Sequence, residues 1–214
     1  MKHPIKSLAV TIRFVMLTFA FIIWPGTHLT AFSQSDGITI FDHLPPGRPD
    51  TKKPTDKDLI FYIQRSMNRN TVVYVARRDA SGRLHRQNPI AVFWRRFASD
   101  GKTSRLTYLE RTMAFGVDTQ KAKNKNGEFW ANLVSYPARK GLLKLDNHNR
   151  PVVLTTIAKH KVRLISAFIQ LKAKSTFPQI VYVDVIGQDV TSGKYIRRRV
   201  YSPQKDRWSG SSTR

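Results

Sequence analysis

Between residues 57 and 202 the apolar positions recur with the period of strands rather than helices. Residues 59–64 (LIFYIQ), 71–77 (TVVYVAR), 90–97 (IAVFWRRF), 129–136 (FWANLVSY) and 180–186 (IVYVDVI) are short runs rich in β-branched and aromatic side chains, which suit a pleated, half-buried surface. Weaker runs of the same kind cover 117–121, 142–146, 152–158, 162–171 and 195–201. Turn chemistry separates many of them: residues 79–82 (DASG), 124–127 (NKNG), 146–149 (DNHN) and 191–193 (TSG) supply Gly, Asn or Asp where the chain adopts positive φ. No segment between the strands has the length of a helical crossover, so antiparallel connections are expected. The pattern predicts an all-β domain, an antiparallel meander of about 8–10 strands that closes as a barrel or packs as a sandwich.

One segment departs from this period. In residues 103–116 (TSRLTYLERTMAFG), Leu106, Leu109 and Met113 recur at helical spacing, and Gly116 is placed to close a short helix in the left-handed conformation. A helix starting near Ser104 turns Glu110 toward the inward stripe of Leu106, where a carboxylate needs a cation or donors. A helix starting at Thr107 makes Thr107-Tyr108-Leu109-Glu110 a capping box instead. Both give Glu110, with its neighbour Arg111, a structural polar role.

The flanks read differently. Lys2, Lys6 and Arg13 precede an apolar run from Phe14 to Trp24, then Pro25-Gly26 and the small residues Ala31 and Ser33. This is the layout of a secretory signal with cleavage after Ser33, and it resembles the export signals of Bacteroidota. The run of eleven residues is short beside the roughly 20 that a spanning helix needs. Residues 34–56, with Pro45, Pro46, Pro49 and Pro54, read as a stiff tether, 57–202 as the domain, and 203–214 as a disordered tail.

Charge then narrows the partners. Lys and Arg number 37 against 14 Asp and Glu, a formal net charge of +23, and the chain after Ser33 still carries +20. In an exported protein that surplus points toward anionic lipid, lipopolysaccharide or acidic glycan, and away from nucleic acid. Absence of cysteine excludes disulfides, thiolate metal sites and cysteine nucleophiles. The histidines form no H-E-x-x-H or H-x-H pair, and the hydrolase elbow and phosphate-loop motifs are missing, so no metal, cofactor or catalytic residue is assigned.

Candidate ligand residues lie where rings and cations interleave: Trp94, Arg95 and Arg96 in one run, Arg197, Arg198 and Arg199 in another. Such a pattern can hold a phosphate or sulfate head group beside an apolar tail. Repeated arginines also put charge on both faces of a strand, which speaks against a lipid-facing barrel. Asp184, flanked by valines, shares a strand face with Tyr182 and could sit on a solvent face or line a lumen.

Several blocks together resemble a known family. They are residues 59–66 (LIFYIQRS), 70–74 (NTVVY), Asn88-Pro89 leading to Phe93-Trp94, and Tyr108-Leu109-Glu110-Arg111 with Ala114-Phe115-Gly116. They are similar to an exported bacterial family, domain-of-unknown-function family 4833. The resemblance implies the domain boundaries and export, and it brings no activity and no functional residue. Three readings follow: a non-enzymatic exported domain that binds an anionic amphiphile or envelope polyanion, an envelope hydrolase using Glu110 or Asp184, and a scaffold or adhesion partner in the cell envelope.

Overall fold

The computed structural model describes residues 37–47, 51–123, 127–173 and 179–202. The expected signal segment and the expected tail lie outside these residues. Among the described residues there are twelve strands: β1 (Gly37–Phe41), β2 (Leu59–Arg65), β3 (Asn68–Ala76), β4 (Ile90–Arg95), β5 (Thr103–Arg105), β6 (Val117–Lys121), β7 (Phe129–Leu133), β8 (Gly141–Leu145), β9 (Pro151–Ile157), β10 (His160–Leu171), β11 (Ile180–Asp189) and β12 (Tyr195–Tyr201). The domain is all-β, as the strand period predicts, and the sheet curls into a half-barrel rather than closing or doubling.

The sheet forks at β10. This strand has twelve residues, long enough for one edge to serve two partners. Its first part, His160 to Arg163, pairs antiparallel with β9, and Ser166 to Ile169 pair with β2. One arm runs β2-β3-β4-β5 and the other β9-β8-β7-β6, while the opposite edge of β10 carries β11, β12 and β1. The β10–β2 pair is parallel, which departs from the expected antiparallel meander. Short turns guarantee antiparallel pairing only between consecutive strands, and β2 and β10 lie far apart in sequence.

The core fills the hollow between the two arms. Val72, Tyr74 and Trp94 from one arm meet Phe129, Leu143 and Val153 from the other, with Leu164, Ala167 and Ile169 of β10 against them. Phe61 stacks on Tyr74 at 4.1 Å, and the Tyr74 hydroxyl donates to the Phe115 carbonyl at 2.9 Å. Burial raises the Tyr74 pKa well above the usual phenol range, so the ring stays neutral and donates.

Both faces of β2 are buried, as its apolar pattern suggested, because residues outside the arms cover the second face. Pro54 is fully buried, and the amide of buried Gln64 donates to the Lys52 carbonyl at 2.9 Å. Much of the expected tether is therefore structural. Residues 51–56 pack on the convex face, and Gly37–Phe41 joins the sheet as an edge strand beside β12.

The expected helix is also shorter. Thr103–Arg105 forms β5, and α1 (Glu110–Ala114) is a single π-helical turn closed by the Phe115 amide on the Glu110 carbonyl at 2.7 Å. Gly116 does not adopt the left-handed conformation expected of it. A Cβ there would collide with the Arg111 carbonyl oxygen, so close approach, not positive φ, calls for glycine.

Candidate functional site

Alternation along the strands separates the arginines that stand together in the sequence. Residues opposite one another in an antiparallel pair share a face. Ala167 of β10 faces Val185 of β11, which faces Arg198 of β12, which faces Ile38 of β1. Arg198 thus lies on the concave face, with the core side of β10, while Arg197 and Arg199 lie on the convex face.

On the convex face Arg199 donates twice to Asp184, Nε to Oδ1 and Nη2 to Oδ2, both at 2.7 Å. Its guanidinium stands 3.8 Å from the centre of the Tyr182 ring, and Tyr182 meets Tyr201 edge-on at 5.9 Å. The hydrogen bonds to Asp184 raise the Arg199 pKa beyond its usual value. Both oxygens of Asp184, which is only 5% exposed, are held by a permanent cation, an arrangement that suits pairing rather than proton transfer. Arg197 donates to the Thr39 hydroxyl at 3.1 Å and lies 5.3 Å from the Phe41 ring.

Trp94, Arg95 and Arg96 diverge in the same way. Trp94 is buried in the core, where its indole N–H donates to Glu110 Oε2 at 3.2 Å and Arg65 stacks 4.8 Å above the ring. Arg95 points to the convex side and pairs with Asp56, and half-buried Arg96 pairs with Asp100 at 2.5 Å.

Glu110 resolves into the capping box. Its Oε2 accepts from the Thr107 amide at 2.9 Å, and its own amide donates to the Thr107 hydroxyl at 3.3 Å. Burial lowers the Arg65 pKa, and the nearby negative charge of Glu110 opposes that shift. Arg111 is exposed on the same turn. The sequence-predicted residues therefore occupy several separate places: the core, two convex surfaces and, for Arg198, a concave groove.

That groove is the site the tertiary structure assembles. It has a volume of about 490 Å³ and is lined by Ile38, Arg139, Lys140, Thr155, Lys159 and Arg198, among others, with no carboxylate among the described lining residues. Arg139 is fixed by donating to the Thr156 carbonyl at 3.0 Å and lies 5.9 Å from the Tyr136 ring. Lys159 is presented by the two-residue turn between β9 and β10, where Ala158 and Lys159 take φ of 49° and 71°. Such a turn favours Asn-Gly, so two side chains with Cβ atoms hold strained backbone at the mouth of the groove. Beside it, Ile40, Val183, Val185 and Val200 continue the concave face, with Ile40 and Val200 exposed.

Of this lining, sequence reasoning picked out Arg198 alone. Ile38 was hidden in the Pro-rich flank, although its alternation with Ile40 is a strand signal. Arg139, Lys140 and Lys159 sit in turns, where isolated cations carry no pattern.

No curated protein and no solved structure matches this chain. A family model, Domain of unknown function (DUF4833), matches residues 61–199, from within β2 to within β12. It takes in both arms, the fork and most of the groove, and leaves β1 outside. On that extent of match, the chain belongs to the DUF4833 family.

Proposed function

We propose that this domain binds an anionic amphiphile without transforming it, holding the charged head in the concave groove and the tail along the neighbouring apolar face. One observation carries the reading: Arg139, Lys140 and Lys159, with Arg198 beside them, line a groove that holds no carboxylate among the described residues, and that groove adjoins aliphatic side chains left exposed on the sheet. Charge alone would suit any polyanion, and apolar surface alone any hydrophobic partner. Their adjacency selects a ligand with both. In this reading residues 1–33 are an export signal, and the ligand is a phospholipid or lipopolysaccharide component of the envelope.

The test is calorimetric titration of the full chain with a short-chain phosphatidylglycerol below its micelle concentration, against the phosphatidylcholine of equal chain length. The glycerol lipid is expected to bind and the choline lipid to bind far more weakly, with the difference shrinking as salt rises. Reversing two groove charges in Arg139→Glu/Lys159→Glu should weaken binding by about tenfold or more, from roughly 1 kcal/mol per cation near an anionic surface. Equal binding of both lipids, or no loss in the double variant, would refute the reading.

A further inference from the structure

The sheet ends in three strands that are guarded unequally. Among the described residues β5, β6 and β1 each pair with one neighbour only, so each turns a row of amide and carbonyl groups outward. Such a row is a template for another strand, and proteins guard it by shortness, charge, proline or a bulge. β5 has three residues and ends in Arg105, and β6 carries Asp118 and Lys121. β1 has none of these devices. It reads Gly37-Ile38-Thr39-Ile40-Phe41, without charge or proline, and pairs with β12 in unbroken register. In a chain of net charge +23, an uncharged edge is where two copies meet with least repulsion.

The order of its residues fits a partner of the same sequence. Antiparallel pairing about a two-fold axis through Thr39 sets Ile38 opposite Ile40 of the second copy, Thr39 opposite Thr39, and Gly37 opposite Phe41. Moving the axis to Ile38 or Ile40 pairs only part of the strand. Aliphatic and Thr–Thr neighbours are favourable cross-strand pairs, and an aromatic ring beside an edge glycine covers backbone that glycine leaves bare. The pairing also keeps the faces of the sheet: Ile38 and Ile40 stay concave, Thr39 and Phe41 convex with Arg197. The arginines of β12 do not oppose it. Arg197, opposite Thr39, would stand three strand spacings from its counterpart, about 14 Å, beyond the roughly 8 Å screening length at physiological salt.

We infer that β1 is a homodimer interface: two copies join edge to edge through Gly37–Phe41 and make one sheet across a two-fold axis. The concave faces become continuous, so Ile38, which lines each groove, gains Ile40 of the second copy as a neighbour. In the lipid-binding reading this extends the floor under the tail, but the pairing itself needs no lipid. A five-residue edge buries less than the roughly 1,200 Å² of a standard interface, so the dimer is of the transient class and forms at roughly micromolar concentrations.

The experiment is sedimentation velocity of the full chain from about 1 to 300 μM in buffer without lipid, a range set by that transient class. Monomer at the low end and dimer at the high end are expected. Ile38→Lys/Ile40→Lys changes two exposed side chains and sets ammonium groups opposite one another. It should raise the dissociation constant at least tenfold with an unchanged melting temperature. Because the chain has no cysteine, Thr39→Cys reads the register directly. Opposed residues of an antiparallel pair have Cα atoms about 4.5–5.5 Å apart, within disulfide reach, so mild oxidation should link two copies. Gln120→Cys, on the charged edge of β6, should not link under the same conditions. A monomer at every concentration would overturn the inference. So would a dimer that survives the lysine substitutions and does not link through Thr39→Cys, or equal linking at both cysteine positions. Dimerisation without phosphatidylglycerol binding would leave this inference standing and refute the lipid reading, whereas phosphatidylglycerol binding by a strict monomer would do the reverse.

Discussion

The concave face of the sheet is apolar in two places that fare very differently. Between the two arms Val72, Tyr74 and Leu143 lose all or nearly all contact with solvent. Along β1 the same face carries Ile38 at 49% and Ile40 at 52% exposure. Both regions obey the same alternation, yet one is a core and the other a surface. The fork explains the difference. Two arms sharing one edge of β10 curl onto each other and cover one another, whereas on the opposite edge the cover ends at Ile196 of β12, which packs with Ile157 and Val162, and β1 lies beyond it at the margin of the sheet. Apolar residues inside a core are explained by stability, while the exposed ones beside the groove are the surface that the tail of the proposed ligand would cover.

The sharpest break in this comparison is a pair of truncations measured by urea denaturation. Tyr74→Ala should cost about 3–5 kcal/mol, because it empties a fully buried site and removes the hydrogen bond to Phe115. Ile40→Ala should cost about 0.5 kcal/mol or less, as an exposed edge position. Similar costs would mean that the β1 face is covered in solution.

Within the closed region, Glu110→Ala should destabilise by about 1–3 kcal/mol, since it leaves the indole N–H of buried Trp94 and the Thr107 amide without their acceptor. Trp94 fluorescence should shift in the folded state. Glu110→Gln keeps an acceptor and should lose less.

At the open region, Ala158→Asn/Lys159→Gly should stabilise the fold by about 1 kcal/mol, because it supplies the residues that positive φ favours. The same change should weaken phosphatidylglycerol binding by removing the Lys159 ammonium. A gain in stability with no loss of binding would separate the strained turn from the groove.

A further effect concerns acid. Asp189 accepts the Ser192 amide at 2.7 Å and the Thr191 amide at 2.9 Å, and these bonds, with the His160 ring 3.1 Å from its other oxygen, hold its pKa down to about 2. A depressed carboxyl pKa stabilises the fold above the unfolded value near 3.8, and that contribution fades as pH falls toward 2. Asp189→Asn should flatten the stability profile between about pH 4 and pH 2, read by thermal melts, and leave it parallel to the parent at neutral pH.

All ten strands expected from the apolar period are present, because β-branched alternation is a local signal that each segment carries in itself. β1 escaped because prolines nearby outweighed a four-residue apolar run, and β5 because its three residues abut a helical pattern. The groove was hardly visible at all. Arg198 stands beside Arg197 and Arg199 in the sequence and joins neither in space, while its groove partners Arg139, Lys140 and Lys159 lie in turns of other hairpins. Trp94 and Arg95, adjacent in the chain, end on opposite sides of a strand.

Side-chain period, turn chemistry and composition were enough for the class of the fold, the positions of most strands and the excess of positive charge. Long-range pairing sets which arginines face Asp56 or Asp184, which one faces the groove, and which apolar face is covered. Those outcomes follow from the parallel pairing of β2 with β10 and the fork it creates, contacts between segments about a hundred residues apart that no local pattern encodes.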